Sequence, residues 1–185
     1  HVNDFYIQNQ TANSLFHFAS NHPTSEIVEL LLTHEALDKY PGDSPAEKNK
    51  SRKFLLNEKN DDGVSPLELA IKKNNPETVE LLLKAGASHH LPNSKGNHYL
   101  HQAVFRGGAA IVNLLLASGL EISINNVDLS RLIHRAILKS EKEIALMLIA
   151  HCAATGKTKE INAAYISGLT PLLLAVKKRD IKLIT

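Results

Sequence analysis

The chain has 185 residues, 43% hydrophobic and 22% charged, with a formal charge of +2, which supports a buried core and implies neither a nucleic-acid nor a membrane partner. Apolar runs such as LELAI and VNLLLA fall far short of the roughly 20 residues a spanning helix needs, and no apolar leader with a cleavage site is visible. The single cysteine, Cys152, excludes an internal disulfide and fits a reducing compartment, so a soluble cytoplasmic protein is expected.

Taken in chain order, the predicted elements repeat. An L-x-x-A pattern, with Phe16 and Ile133 in place of the leucine in the first and fourth copies, ends on Ala19, Ala70, Ala103, Ala136 and Ala175, at spacings of 51, 33, 33 and 39 residues. Eleven residues after each of the first four alanines begins a hydrophobic triplet: Leu30 to Leu32, Leu81 to Leu83, Leu114 to Leu116 and Met147 to Ile149. Ten residues before those same four alanines stands Asn9, Asn60, Asn93 or Asn126. Agreement at three columns defines repeats at about 9–35, 60–87, 93–120, 126–153 and 165–185.

The second repeat shows why the pattern folds. Ser65 is placed to cap a helix, Pro66 takes the first helical position, where a missing N–H costs nothing, and Glu68 completes a capping box. Leu67 and Ala70 share one face, and the small alanine admits a neighbouring helix. Asn75 and Pro76 start a second helix that turns Val79, Leu82 and Leu83 inward, and Gly86 ends it in a left-handed conformation. A helix shorter than about 12 residues is marginal in water, so each hairpin must bury its remaining apolar face on the next copy.

These residues resemble ankyrin repeats, whose pattern runs through a G-x-T-P-L-H-x-A stretch, a V-x-x-L-L stretch and a closing G-A. GVSPLELA, TVELLLKAGA, IVNLLLASG and INAAYISGLTPLLLA match it, and the resemblance extends from about Asn9 to Thr185. It implies an all-α solenoid of stacked helix-turn-helix units with short β-turn fingers, forming a single domain over 1–185. Repeats one and four depart from it. Ala12 and Leu129 stand at the turn glycine, and Leu15 and Leu132 at the proline, so those turns are expected to be distorted.

The spacings longer than 33 predict excursions. Eighteen additional residues fall within a stretch rich in Pro, Gly, Ser and alternating charge, read as an exposed loop at about 36–56. Six more in HCAATGKTKE are expected to lengthen the second helix of repeat four or its turn. The chain has no initial methionine, and it stops before the triplet expected of repeat five, which predicts an excerpt of a longer protein.

The histidines do not read as a catalytic or metal set. His17, His101 and His134 share one column, two residues before the repeat alanine, and the resemblance implies a structural hydrogen-bonding role for them. His89, His90 and His98 cluster without a C-x-x-C or H-E-x-x-H pattern, and Cys152 beside His151 points elsewhere on a helix. TGKT lacks the first glycine of a phosphate loop, since His151 stands there. No enzyme activity, metal or cofactor is expected from these residues.

What remains is a surface. Three residues after the repeat alanines come His22, Lys73, Arg106, Lys139 and Lys178, preceded by Asn21, Lys72, Phe105, Leu138 and Lys177. The ankyrin resemblance places both columns at the end of the inner helix, facing a concave groove, with Phe105 and Leu138 as an apolar centre among cations. Basic residues also suit a helix C-terminus on dipole grounds alone, by about 0.3–1 kcal/mol each. Asp61, Asp62, Val64, Ser94, Lys95 and Asn97 occupy the turn tips that ankyrin proteins use for recognition. The expected function is a monomeric, non-enzymatic module that holds a partner protein, with an acidic segment and an apolar anchor, across this groove. The alternative is the targeting arm of a multidomain enzyme, such as a bacterial effector acting in host cytoplasm. Nucleic acid is disfavoured because aromatics make up only 5% of the chain.

Overall fold

The structure, a computed structural model, describes residues 13–33, 53–89, 92, 94, 98–118, 128–164 and 168–178. The chain divides into two compact units, His1–Tyr99 and Leu100–Thr185, and the regular elements among the described residues are all helices. The five repeat alanines are buried, each at 1% exposure or less. A larger side chain there would push apart helices that the small residue lets approach.

In the first unit, α1 (Leu15–Asn21) and α2 (Glu26–Thr33) form one hairpin, and α4 (Pro66–Lys73) and α5 (Pro76–Lys84) form the next. α1 packs on α4 and α2 on α5, so like lies against like. Between the hairpins, residues 53–57 form α3, with Leu55 and Leu56 buried. The last part of the expected loop is therefore a packed helix, because Leu55 and Leu56 bury themselves while Phe54 stays exposed; residues 36–52 lie outside the described residues.

The predicted helix boundaries are present. Ser65 Oγ accepts the Glu68 N–H at 3.2 Å, Pro66 opens α4, and Asn74 closes it at φ 54°. Asn75 Oδ1 accepts the Thr78 N–H at 3.0 Å ahead of Pro76, and Gly86 follows α5 at φ 95°. Two details differ. The Glu68 carboxylate accepts from the Ser94 N–H at 2.8 Å and from Ser94 Oγ, rather than turning back to close a capping box on Ser65. Leu83 is half-buried, while Val79 and Leu82 are fully enclosed.

The asparagine column has a structural reason at its one described copy. Asn60 N–H donates to Val64 O at 3.0 Å, Asn60 Oδ1 accepts the Val64 N–H at 2.9 Å, and Gly63 N–H donates to Asn60 O at 2.8 Å. Gly63 adopts φ 71°, which completes the tight finger at little steric cost.

In the second unit, α6 (Tyr99–Arg106, whose first residue belongs to unit one) and α7 (Ala109–Ala117) precede α8 (Leu129–Leu138) and α9 (Lys142–Ala154). α4, α6 and α11 (Pro171–Lys177) each begin four residues before their alanine, but α8 begins seven before Ala136. Asp128 Oδ1 caps it from the Arg131 N–H at 2.9 Å. Where the motif has a turn glycine, Leu129 is buried in an added helical turn: leucine resists the positive φ that the finger requires and gains by burial. The lengthening expected of repeat four is also seen, since α9 has 13 residues against 9 in α5 and in α7. A further helix, α10 (Thr158–Asn162), packs against α8, α9 and α11. Ser130, in the added turn of α8, donates from Oγ to Ala163 O at 3.4 Å, so the two irregularities of repeat four meet.

Candidate recognition surface

The column two residues before each alanine links neighbouring repeats. His17 Nε2 hydrogen-bonds Val64 O at 2.9 Å, with Nδ1 held by Ser14 Oγ at 2.7 Å. His134 lies between two carbonyls, with Nε2 2.7 Å from Leu169 O and Nδ1 2.7 Å from Ser130 O, and the tautomer that carries its proton on Nε2 donates to Leu169 O. Val64 and Leu169 occupy the same repeat position, so the two histidines grip equivalent finger carbonyls. Glu68 takes the same place in repeat two, and its acceptor oxygens find the Ser94 N–H and hydroxyl instead. His101 differs. Its Nδ1, the nitrogen that in His17 and His134 bonds a residue three or four positions earlier, is buried without a hydrogen-bond partner. Burial pushes both His17 and His101 below their ordinary value; Arg131 adds to this at His101, against Asp128.

This lattice removes several expected recognition residues from the surface. Val64 is 7% exposed and bonded through its backbone to Asn60 and His17, so its side chain faces the core. Ser94 is bound to Glu68, and Lys72 pairs with the same carboxylate at 3.0 Å. Asp61 and Asp62 are exposed at the finger tip, while Lys95 and Asn97 lie outside the described residues. Lys73 is exposed and borders a depression of about 410 Å³ with Asn21, Pro23 and Glu77.

The second unit gathers the rest. Phe105, at the end of α6, is 67% exposed, and Leu138, at the end of α8, is 52% exposed. Arg106 and Lys139 are exposed and directly follow them in sequence, and Lys177, at the end of α11, is exposed too. Lys178 is not a free cation. Its Nζ donates to Ile137 O at 3.2 Å, to Leu138 O and to Ser140 Oγ at 3.1 Å, which caps the C-terminus of α8, where the dipole favours a positive charge.

Sequence reasoning missed Arg135. It lies on α8 three residues before Leu138, and its guanidinium carbon sits 3.5 Å from the centroid of the Phe105 ring. Nη2 donates to Phe105 O at 3.0 Å, so stacking and hydrogen bonding fix the same side chain. The repeat pattern held no signal for it, because the preceding copies of that column are Phe18, Leu69 and Gln102.

Cys152 is fully buried, and burial, with Glu160 adding, raises its thiol above the ordinary value, away from the reactive thiolate. No described helix is long and apolar enough to cross a membrane.

Comparison with known proteins agrees with the hairpin geometry. The family model for ankyrin repeats, in three copies, matches residues 1–128. An ankyrin repeat protein of Rickettsia felis is 31% identical over 94 residues, which cover 51% of this chain and 28% of that protein. The crystal structure of the ankyrin repeat domain of Bcl-3 superimposes with a TM-score of 0.61 at 21% identity, covering 95% of this chain and 70% of that one. At that identity the likeness concerns the fold. Columns, hairpins and a family match over more than half its length together establish that the chain belongs to the ankyrin-repeat family, whose members serve as protein-interaction modules.

Proposed function

We propose that the second unit binds a segment of a partner protein against the ends of α6 and α8, with Phe105 and Leu138 as apolar anchors and Arg106, Lys139 and Lys177 steering an acidic stretch towards them. The observation that carries this reading is the exposure of Phe105 and Leu138 among cations. A helix-dipole preference accounts for the basic residues but not for large apolar side chains beside them. Lys73, Asp61 and Asp62, exposed on the first unit, are a separate candidate contact in this reading. The protein acts as a monomer in the cytoplasm in this reading. Its test is the double variant Phe105→Ala with Arg106→Glu, which retains the fold by circular dichroism and loses the partner recovered by affinity capture and mass spectrometry. Wild-type affinity in that variant would refute it.

A second reading is favoured by the relative from Rickettsia felis, in which the matched region is only 28% of the protein. These repeats would be the targeting arm of a multidomain enzyme, such as an effector delivered to host cytoplasm. Assay of the full-length protein for an activity that the repeats direct, but do not perform, distinguishes the two.

A further inference from the structure

We infer that Arg135, held flat by the Phe105 ring, is the residue that recognises a carboxylate on the partner, beside an apolar side chain seated on Leu138. The inference rests on the interaction reading above and names its specificity determinant.

The cations of this face are not equivalent. Lys178 is committed to the end of α8, through two carbonyls and Ser140. Arg106, Lys139 and Lys177 are exposed, and a long, solvated side chain attracts an acidic segment without fixing its orientation. Arg135 alone among them is restrained on two sides, by the ring 3.5 Å from its guanidinium carbon and by Phe105 O at 3.0 Å from Nη2. A guanidinium whose plane is already set loses little freedom when it binds, and its parallel N–H groups match the two oxygens of a carboxylate.

The rest of the guanidinium narrows the direction of approach. Nε is buried and has no hydrogen-bond partner, so the donors open to a ligand are those left on the two terminal nitrogens. Leu138 lies three residues on, on the same side of α8, and is half exposed. A carboxylate on those nitrogens therefore carries the neighbouring part of its chain over Leu138. Local charge favours this occupant: Arg106 adjoins Phe105 and Lys139 adjoins Leu138 in sequence, Lys177 precedes the lysine that reaches the end of α8, and Glu141 beside Gly107 is the one acidic residue within three positions of Leu138.

The assignment is tested on the whole chain with a fluorescein-labelled peptide of glutamates around one central leucine, a glutamine-for-glutamate version, and fluorescence anisotropy. Arg135→Gln and Arg135→Lys are each expected to weaken the glutamate peptide about tenfold, because an ammonium keeps the charge but not the paired geometry. Phe105→Leu, which keeps an apolar side chain but removes the stacking ring, is expected to weaken it similarly. Lys139→Gln with Lys177→Gln should mainly slow association and flatten its salt dependence. Melting curves confirm that each variant is folded, and the Arg135→Lys variant, which retains the long aliphatic stem, decides the matter if Arg135→Gln is not. Wild-type affinity in Arg135→Lys, or equal binding of the two peptides, overturns the assignment and leaves the apolar anchor reading standing if Leu138→Ser still weakens binding. Binding of neither peptide by the wild-type chain overturns both.

Discussion

The first unit inserts its extra residues between hairpins, whereas the second alters a hairpin itself. In unit one, His17 and Glu68 each meet a complementary group on the next finger, and Lys72 is neutralised by Glu68. In unit two, α8 begins a turn early where the finger of repeat four would stand, the Nδ1 of His101 is unpartnered, α10 is added, and Phe105 and Leu138 are exposed beside Arg135. In unit one both copies of the column are bonded to the next finger, whereas the irregular repeat of unit two sits beside the best candidate for binding. Departures from local rules concentrating near a functional surface are what consistent folding leads one to look for.

That contrast can be broken most forcefully at Glu68. Glu68→Ala leaves the Ser94 N–H and Lys72 unmatched and should cost about 1.5–3 kcal/mol, read from urea denaturation. Next, His134→Phe orphans Leu169 O and should cost about 1–2 kcal/mol. His101→Phe should cost less than His134→Phe, because Nδ1 makes no bond there and its burial is uncompensated. Equal losses at His101 and His134 would erase the distinction between the units. Smaller again, Gly107→Ala should exceed Gly63→Ala. Both hold positive φ, for which a side chain costs about 1 kcal/mol, but an added Cβ at 107 also meets Glu141 Oε1 at 3.2 Å, while at 63 it meets nothing.

The gentlest probe is pH. His17 and His101 have lowered values, chiefly through burial, so the unfolded chain takes up protons before the folded one does. Their stabilising contribution is complete above the unfolded value near 6.5 and is lost as pH falls towards the folded values. The urea midpoint should therefore drop between about pH 7.5 and about pH 5.5, and drop less in His101→Phe. An unchanged midpoint in the wild-type protein would mean that these rings charge equally well in the folded state.

Much of this was legible in the residues because its causes are local. Ser65 with Pro66, Asn75 with Pro76, and Gly86 mark helix ends through their own backbone chemistry, and the five alanines mark a packing distance that every copy must respect. What could not be read depended on partners distant in sequence. Val64 disappears into the core because His17 reaches it from 47 residues away, and Lys178 folds back on α8 from 40. Arg135 becomes noteworthy only once Phe105 is beneath it, and the start of α8 depended on whether Leu129 would turn or bury.

The column of His17, Glu68 and His134 has an implication for assembly. An imidazole N–H seeks a carbonyl, as at Val64 and Leu169, whereas a carboxylate seeks an N–H, as at Ser94. A chain with its second and fourth hairpins exchanged would set the oxygens of Glu68 against the oxygen of Leu169, two acceptors face to face. Near-identical modules thus carry a polarity code that distinguishes the correct sequence of neighbours from a shuffled one, and guards a repetitive polypeptide against docking out of order as it folds.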